Sequence, residues 1–135
     1  MQPWREAPKW VPLTAVVVIH DRQIARHAGS AGLRDRALLE MGCARPMNLF
    51  AYGRPAIEEL AAAYAFGLVK SYAFVDGNKR TALVTSLTFL RLNGHGFRPE
   101  TQEGLRMVEG LAAGDVGEPV FARWLARGMK PLASA

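Results

Sequence analysis

Tyr72-Ala73-Phe74-Val75-Asp76-Gly77-Asn78-Lys79-Arg80 separates two helical patterns, and its reading decides the fold. Before it, residues 56–70 repeat Leu60, Tyr64 and Leu68 every four positions around the strong helix formers Ala61, Ala62 and Ala63, with Gly67 a weak spot. After it, Leu83, Leu87 and Leu90 share a face with Val84, and Asn93-Gly94 supplies a left-handed stop. The segment is therefore a polar turn at the N-terminus of a helix, where unpaired backbone N–H groups and the positive dipole end favour an anion. Gly77 and Asn78 can take the left-handed backbone that turns successive N–H groups inward. Lys79 and Arg80 add donors suited to phosphate, and Asp76 is a hard oxygen ligand of the kind Mg²⁺ takes beside phosphates. These residues describe a nucleotide-phosphate cradle. The plainer alternative has Asp76 as the helix N-cap with the basic residues solvated, and the residues alone leave both open.

Working outward, residues 1–13 carry Pro3, Pro8 and Pro12 and read as an irregular arm. Thr14 can cap a helix over 14–28. Val16–Ile19 equally suits a buried strand, but Ile24 and the Gly29 stop favour the helix. A short helix over 34–44 closes at Arg45-Pro46, and 47–55 reads as a loop. Helices over 101–113, ended by Gly114, and over 118–127 complete the chain. The expectation is one compact all-α domain over 14–128, with 129–135 as a tail.

With 135 residues, half of them apolar and 21% charged, the chain suits one globular domain that needs no disulfide or structural metal. Cys43, the single cysteine, fits a reducing cytoplasmic setting and reads as a buried inert thiol. The net charge of +5 and pI near 9.9 favour anionic partners. The basic residues are scattered, which argues against direct nucleic-acid binding. The apolar run from Val11 to Ile19 is too short to cross a membrane and leads into His20-Asp21-Arg22 without a cleavage site, so no targeting or membrane role is expected.

The 72–80 segment closely resembles the His-x-Phe-x-[Asp/Glu]-[Ala/Gly]-Asn-[Gly/Lys]-Arg signature of Fic-domain proteins. Its lysine form, followed by Thr81-Ala82-Leu83, is similar to the Doc (death-on-curing) branch. Ile19-His20-Asp21, Gly32-Leu33-Arg34-Asp35 and Phe89-Leu90-Arg91-Leu92-Asn93-Gly94 are Doc-like as well, so the likeness covers about residues 14–127. It implies a Fic fold with the motif loop at the N-terminus of a central helix. It further implies a toxin of a toxin–antitoxin module, transferring the γ-phosphate of ATP, with Mg²⁺, to a hydroxyl of an elongation factor Tu-like target. Other Fic proteins transfer AMP, and the motif does not choose. Carried over by resemblance, Asp76 would hold Mg²⁺. Gly77 and Asn78 would form the anion hole, with Asn78 also touching phosphate. Lys79 and Arg80 would bind the nucleotide phosphates, and Phe74 would anchor the loop in the core.

Tyr72 departs from the pattern: the family's general base there is His. Imidazole titrates near pH 6.5, whereas a phenol with a pKa of about 10 stays protonated at pH 7 and is a poor base. The expectation is a catalytically impaired chain, and whether Tyr72 is native or acquired stays open. A non-catalytic Fic-fold binding module is the competing function. Some Fic proteins inhibit themselves through [Ser/Thr]-x-x-x-Glu-[Gly/Asn]. Here Glu103-Gly104 and Glu109-Gly110 follow Pro99 and Leu105 at the critical spacing, so restraint by a separate Phd-like antitoxin is expected. His20, His27 and His95 lack metal-ligand spacing. His20-Asp21 reads either as lining a target groove or as stabilising a helix, Arg34-Asp35 as a local pair or cap, and Trp4, Trp10 and Trp124 as packing.

Overall fold

A computed structural model describes residues 6–133; Trp4 lies outside the described residues. Among them the chain forms six helices, α1 (Leu13–His27), α2 (Arg36–Tyr52), α3 (Ile57–Ser71), α4 (Asn78–Leu92), α5 (Thr101–Ala113) and α6 (Glu118–Gly128). Two-residue strands β1 (His95–Gly96) and β2 (Lys130–Pro131) pair antiparallel. The architecture is all-α, as expected. Among the described residues, no helix is long and apolar enough to cross a membrane.

The core is built around α3, whose Leu60 to Ala65, Leu68 and Val69 are all buried. Such all-round burial explains why alanine is tolerated on three consecutive positions: neighbours press in from every side. α4 packs against α3, burying Thr81, Ala82, Thr85, Ser86 and Phe89, and the Phe89 ring lies 5.1 Å from that of Tyr64. The leucine stripe of α4 is not this face. Leu83, Val84 and Leu87 are only half-buried and line a cleft, while Leu90 reaches the core.

Three local expectations are corrected. Thr14 does not cap α1, which begins one residue earlier behind Pro12 with no side-chain cap. It ends with Ala28, not Gly29, in the left-handed region. The proline at 46 does not close α2, and residues 47–52 are helix rather than loop. Phe50 explains the continuation. It packs edge-on to Trp10, ring centroids 5.8 Å apart, and that burial offsets the lost hydrogen bond. The carbonyl deprived of its donor belongs to Gly42, where α2 lies against Gly67 of α3 so closely that neither position has room for a Cβ.

Residues outside the expected helices are also built in. Trp10 stacks on Phe89 at 5.8 Å and meets Tyr64, while the Val11 N–H donates to the Tyr64 hydroxyl at 3.0 Å. Trp124 packs on Phe97 and Phe121 and donates its indole N–H to Glu103 at 2.9 Å. Both tryptophans are packing residues.

Candidate active site

The motif loop, residues 72–77, is held from both sides by backbone rather than left to hang between helices. α3 ends at Tyr72 in the left-handed conformation, φ +50°, an uncommon place for a bulky residue. Arg34 stabilises it: its Nε and Nη2 donate to the Tyr72 carbonyl at 2.9 and 2.5 Å. The Arg34 and Asp35 N–H groups donate to the Ala73 carbonyl at 2.7 and 3.1 Å, and the Val75 N–H donates to Gly32 at 3.0 Å. The α1–α2 connection thus runs alongside the loop as a short strand-like partner. Arg34 and Asp35 do not pair with each other. Asp35 caps α2 through Leu38, and Arg34 serves the loop.

Phe74 is buried, as an anchor should be. Asn78 closes the loop on itself. Its side-chain amide accepts from the Phe74 N–H at 3.1 Å and donates to the Phe74 carbonyl at 2.9 Å. The resemblance has Asn78 touching phosphate. The amide oxygen and one amide hydrogen serve the Phe74 backbone, which leaves the second amide hydrogen and the main-chain N–H for an anion. Asn78 is not left-handed: it is the first residue of α4, and Gly77 alone of the pair takes that conformation, φ +76°. A Cβ at 77 would press only on the end of the Ile24 side chain, so it is the left-handed backbone that calls for glycine.

Asp76 does not cap α4. Its carboxylate accepts from Gly77 N–H at 2.8 Å and Ser30 N–H at 3.2 Å, outside the helix, and no side chain caps the α4 N-terminus. The N–H groups of Asn78, Lys79 and Arg80 therefore have no capping partner, and the first bond of the helix is Thr81 N–H to the Gly77 carbonyl. The Ser30 and Gly77 bonds, with a smaller pull from His20, hold the Asp76 carboxyl below its ordinary value.

Tyr72, Asp76, Gly77, Asn78, Lys79 and Arg80 line one cleft of about 360 Å³ with Val69 and Val75. Tyr72 as a whole is 53% exposed beside it. Arg80 sits where this cleft meets a second, of about 460 Å³, and its Nη1 donates to His27 Nε2 at 3.3 Å. The sequence-predicted residues are thus brought together, except Phe74, which lies beneath. The supporting residues Ser30, Arg34 and His27 were missed, since nothing in their spacing marks them as loop partners. His20 does not line a groove. It is 1% exposed, under the loop.

A sequence profile of the Fic/DOC family matches residues 10–90, which include the whole motif loop. The chain belongs to the Fic/Doc family. Among Fic/Doc relatives, the protein kinase doc of Escherichia phage P1 is 31% identical over 113 residues, 83% of this chain and 89% of that protein. The toxin Doc of Mycolicibacterium smegmatis is 42% identical over 69 residues, 49% of this chain and 52% of that one.

Proposed function

We propose that this Fic/Doc chain is a Doc-type toxin of a toxin–antitoxin module. It binds ATP by its phosphates at the α4 N-terminus and transfers phosphate to a hydroxyl of an elongation factor Tu-like target, slowly because Tyr72 stands where a base is needed. The observation that carries this reading is the row of three unpaired N–H groups at Asn78, Lys79 and Arg80, flanked by two cationic side chains and an exposed carboxylate in one cleft. The donor set suits Mg²⁺. No group of three or more His, Cys, Asp or Glu among the described residues could hold a metal without help, and one carboxylate completed by nucleotide phosphates is this ion's habit. Asp76 would hold it, and the ion would neutralise charge on the transferring phosphate. Lys79 and Arg80 bind phosphate oxygens, and the helix N-terminus receives the charge that develops on them.

The second cleft supports the antitoxin partner. Its lining combines apolar Leu83, Val84, Leu87, Phe97 and Leu105 with Arg26, Arg80 and Arg98, which outweigh Glu100 and leave it basic. That surface suits an amphipathic acidic segment of a separate Phd-like chain.

Tyr72 favours a second reading, a binding module without transfer. The test separates the two. This chain and Tyr72→His are incubated with elongation factor Tu and ATP labelled at the α or γ position. The toxin reading expects γ label on the target to rise about 10²–10⁴-fold with Tyr72→His. α label would mean AMP transfer, and no label from either protein would favour the binding module. The variant should fold at least as well as the parent, because histidine populates the left-handed backbone more readily than tyrosine.

A further inference from the structure

The geometry points to His20, buried in α1 and 56 residues from Asp76 in sequence, as the positioning residue that sets the peptide plane on which the anion cradle begins. The inference rests on the nucleotide reading above and deepens it. His20 Nε2 lies 2.7 Å from the Asp76 carbonyl oxygen. A carbonyl can only accept, so Nε2 carries the hydrogen and donates. The same ring stacks on Phe74, centroids 3.8 Å apart and planes 8° from parallel. One side chain thus grips the loop at its apolar anchor and at the residue bearing the exposed carboxylate.

The consequence follows from peptide geometry. Across a trans peptide the C=O of one residue and the N–H of the next point in opposite directions. Drawing the Asp76 carbonyl down onto His20 turns the Gly77 N–H up, where Asp76 Oδ1 accepts it at 2.8 Å. Gly77 in its left-handed conformation then leads into the unpaired N–H groups of Asn78, Lys79 and Arg80. With no donor at 20 this peptide would keep a part-buried carbonyl unpaired, and rotating the plane to relieve that would carry the Gly77 N–H and the start of α4 out of position.

Two substitutions divide the roles of the ring. His20→Phe keeps the stack and removes the donor, and His20→Gln returns an N–H at similar reach without the aromatic face. Thermal midpoint, backbone amide NMR shifts of residues 76–80 and Mg·ATP affinity are measured for the three proteins. The expectation is that His20→Phe moves the 76–80 amides and weakens Mg·ATP binding about tenfold, while His20→Gln restores both to within about threefold even if it melts lower. The proposal is overturned if His20→Phe leaves those amides and the affinity unchanged, or if affinity in both variants follows melting temperature alone. If the parent binds no Mg·ATP, the nucleotide reading fails, and the amide shifts still decide the role of His20. Should His20→Phe not fold, His20→Asn, too short to reach the carbonyl, takes its place against His20→Gln.

Discussion

At the scale of single residues, the site is governed by where hydrogen-bond donors are aimed. Asp76 is exposed, yet two main-chain N–H groups favour its charged form. Its carboxyl is therefore more acidic folded than unfolded. That difference favours the folded chain above the ordinary carboxylate value and is lost as pH falls through the lowered one. A carboxyl-carbon NMR titration should give a midpoint below 3.8, moving back toward that value in Ser30→Pro, which removes one of the two N–H donors. A midpoint at or above 3.8 would mean that Ser30 and Gly77 do not hold the carboxylate. Tyr72 presents the opposite case. Its carbonyl is fixed by Arg34 while the residue as a whole is 53% exposed beside the cleft, so the main chain is held here and the side chain is left to meet a ligand.

At the scale of elements, the crossing of α2 and α3 turns on Gly42 and Gly67. In an exposed helix, replacing glycine by alanine gains roughly 0.5–1 kcal/mol. Here a Cβ at 67 would run into the Gly42 carbonyl, so Gly67→Ala should instead destabilise by about 1–3 kcal/mol, read as a lower urea midpoint with unchanged slope. A neutral or stabilising result would show that the helices can move apart. The same crossing shows what the sequence could and could not tell. Gly67 reads as a weak spot, and its reason for being there lies in a helix 25 residues earlier. Pro46 reads as a stop because local rules count the missing N–H and cannot see Phe50 reaching Trp10. The ends of α4 and α5 were legible because their stops are local: Gly94 and Gly114 both take the left-handed backbone that their positions implied. The motif loop was legible in composition but not in wiring. Asn78, Arg34 and His20 each bond to main-chain atoms, which leave no trace in side-chain pattern.

At the scale of the whole molecule, burial couples stability to alkaline pH. Burial pushes the Cys43 thiol from 9.0 up to about 11 and the Tyr64 phenol from 10.0 up to about 12. Both groups are held neutral in the fold and ionise sooner in the unfolded chain. Stability is thus complete below about pH 9 and falls as pH rises toward the folded values. The loss from Cys43 should be on the order of 2 kcal/mol by pH 11, measured as the fall in urea midpoint, and Cys43→Ala should flatten the lower part of that fall. A parent and variant with parallel profiles would remove the thiol from the account.

The two ends of the described chain meet at one place. Asn93 exchanges hydrogen bonds with Lys9, and the Leu132 N–H donates to Gly94, so both approaches close on the C-terminal end of α4. The motif occupies the other end of the same 15-residue helix, about 20 Å away at 1.5 Å per residue. A dye, an affinity handle or a surface tether attached beyond either residue 9 or residue 132 is therefore kept at arm's length from the cleft by a rigid rod. The molecule can be immobilised from behind with its reactive mouth facing the solution.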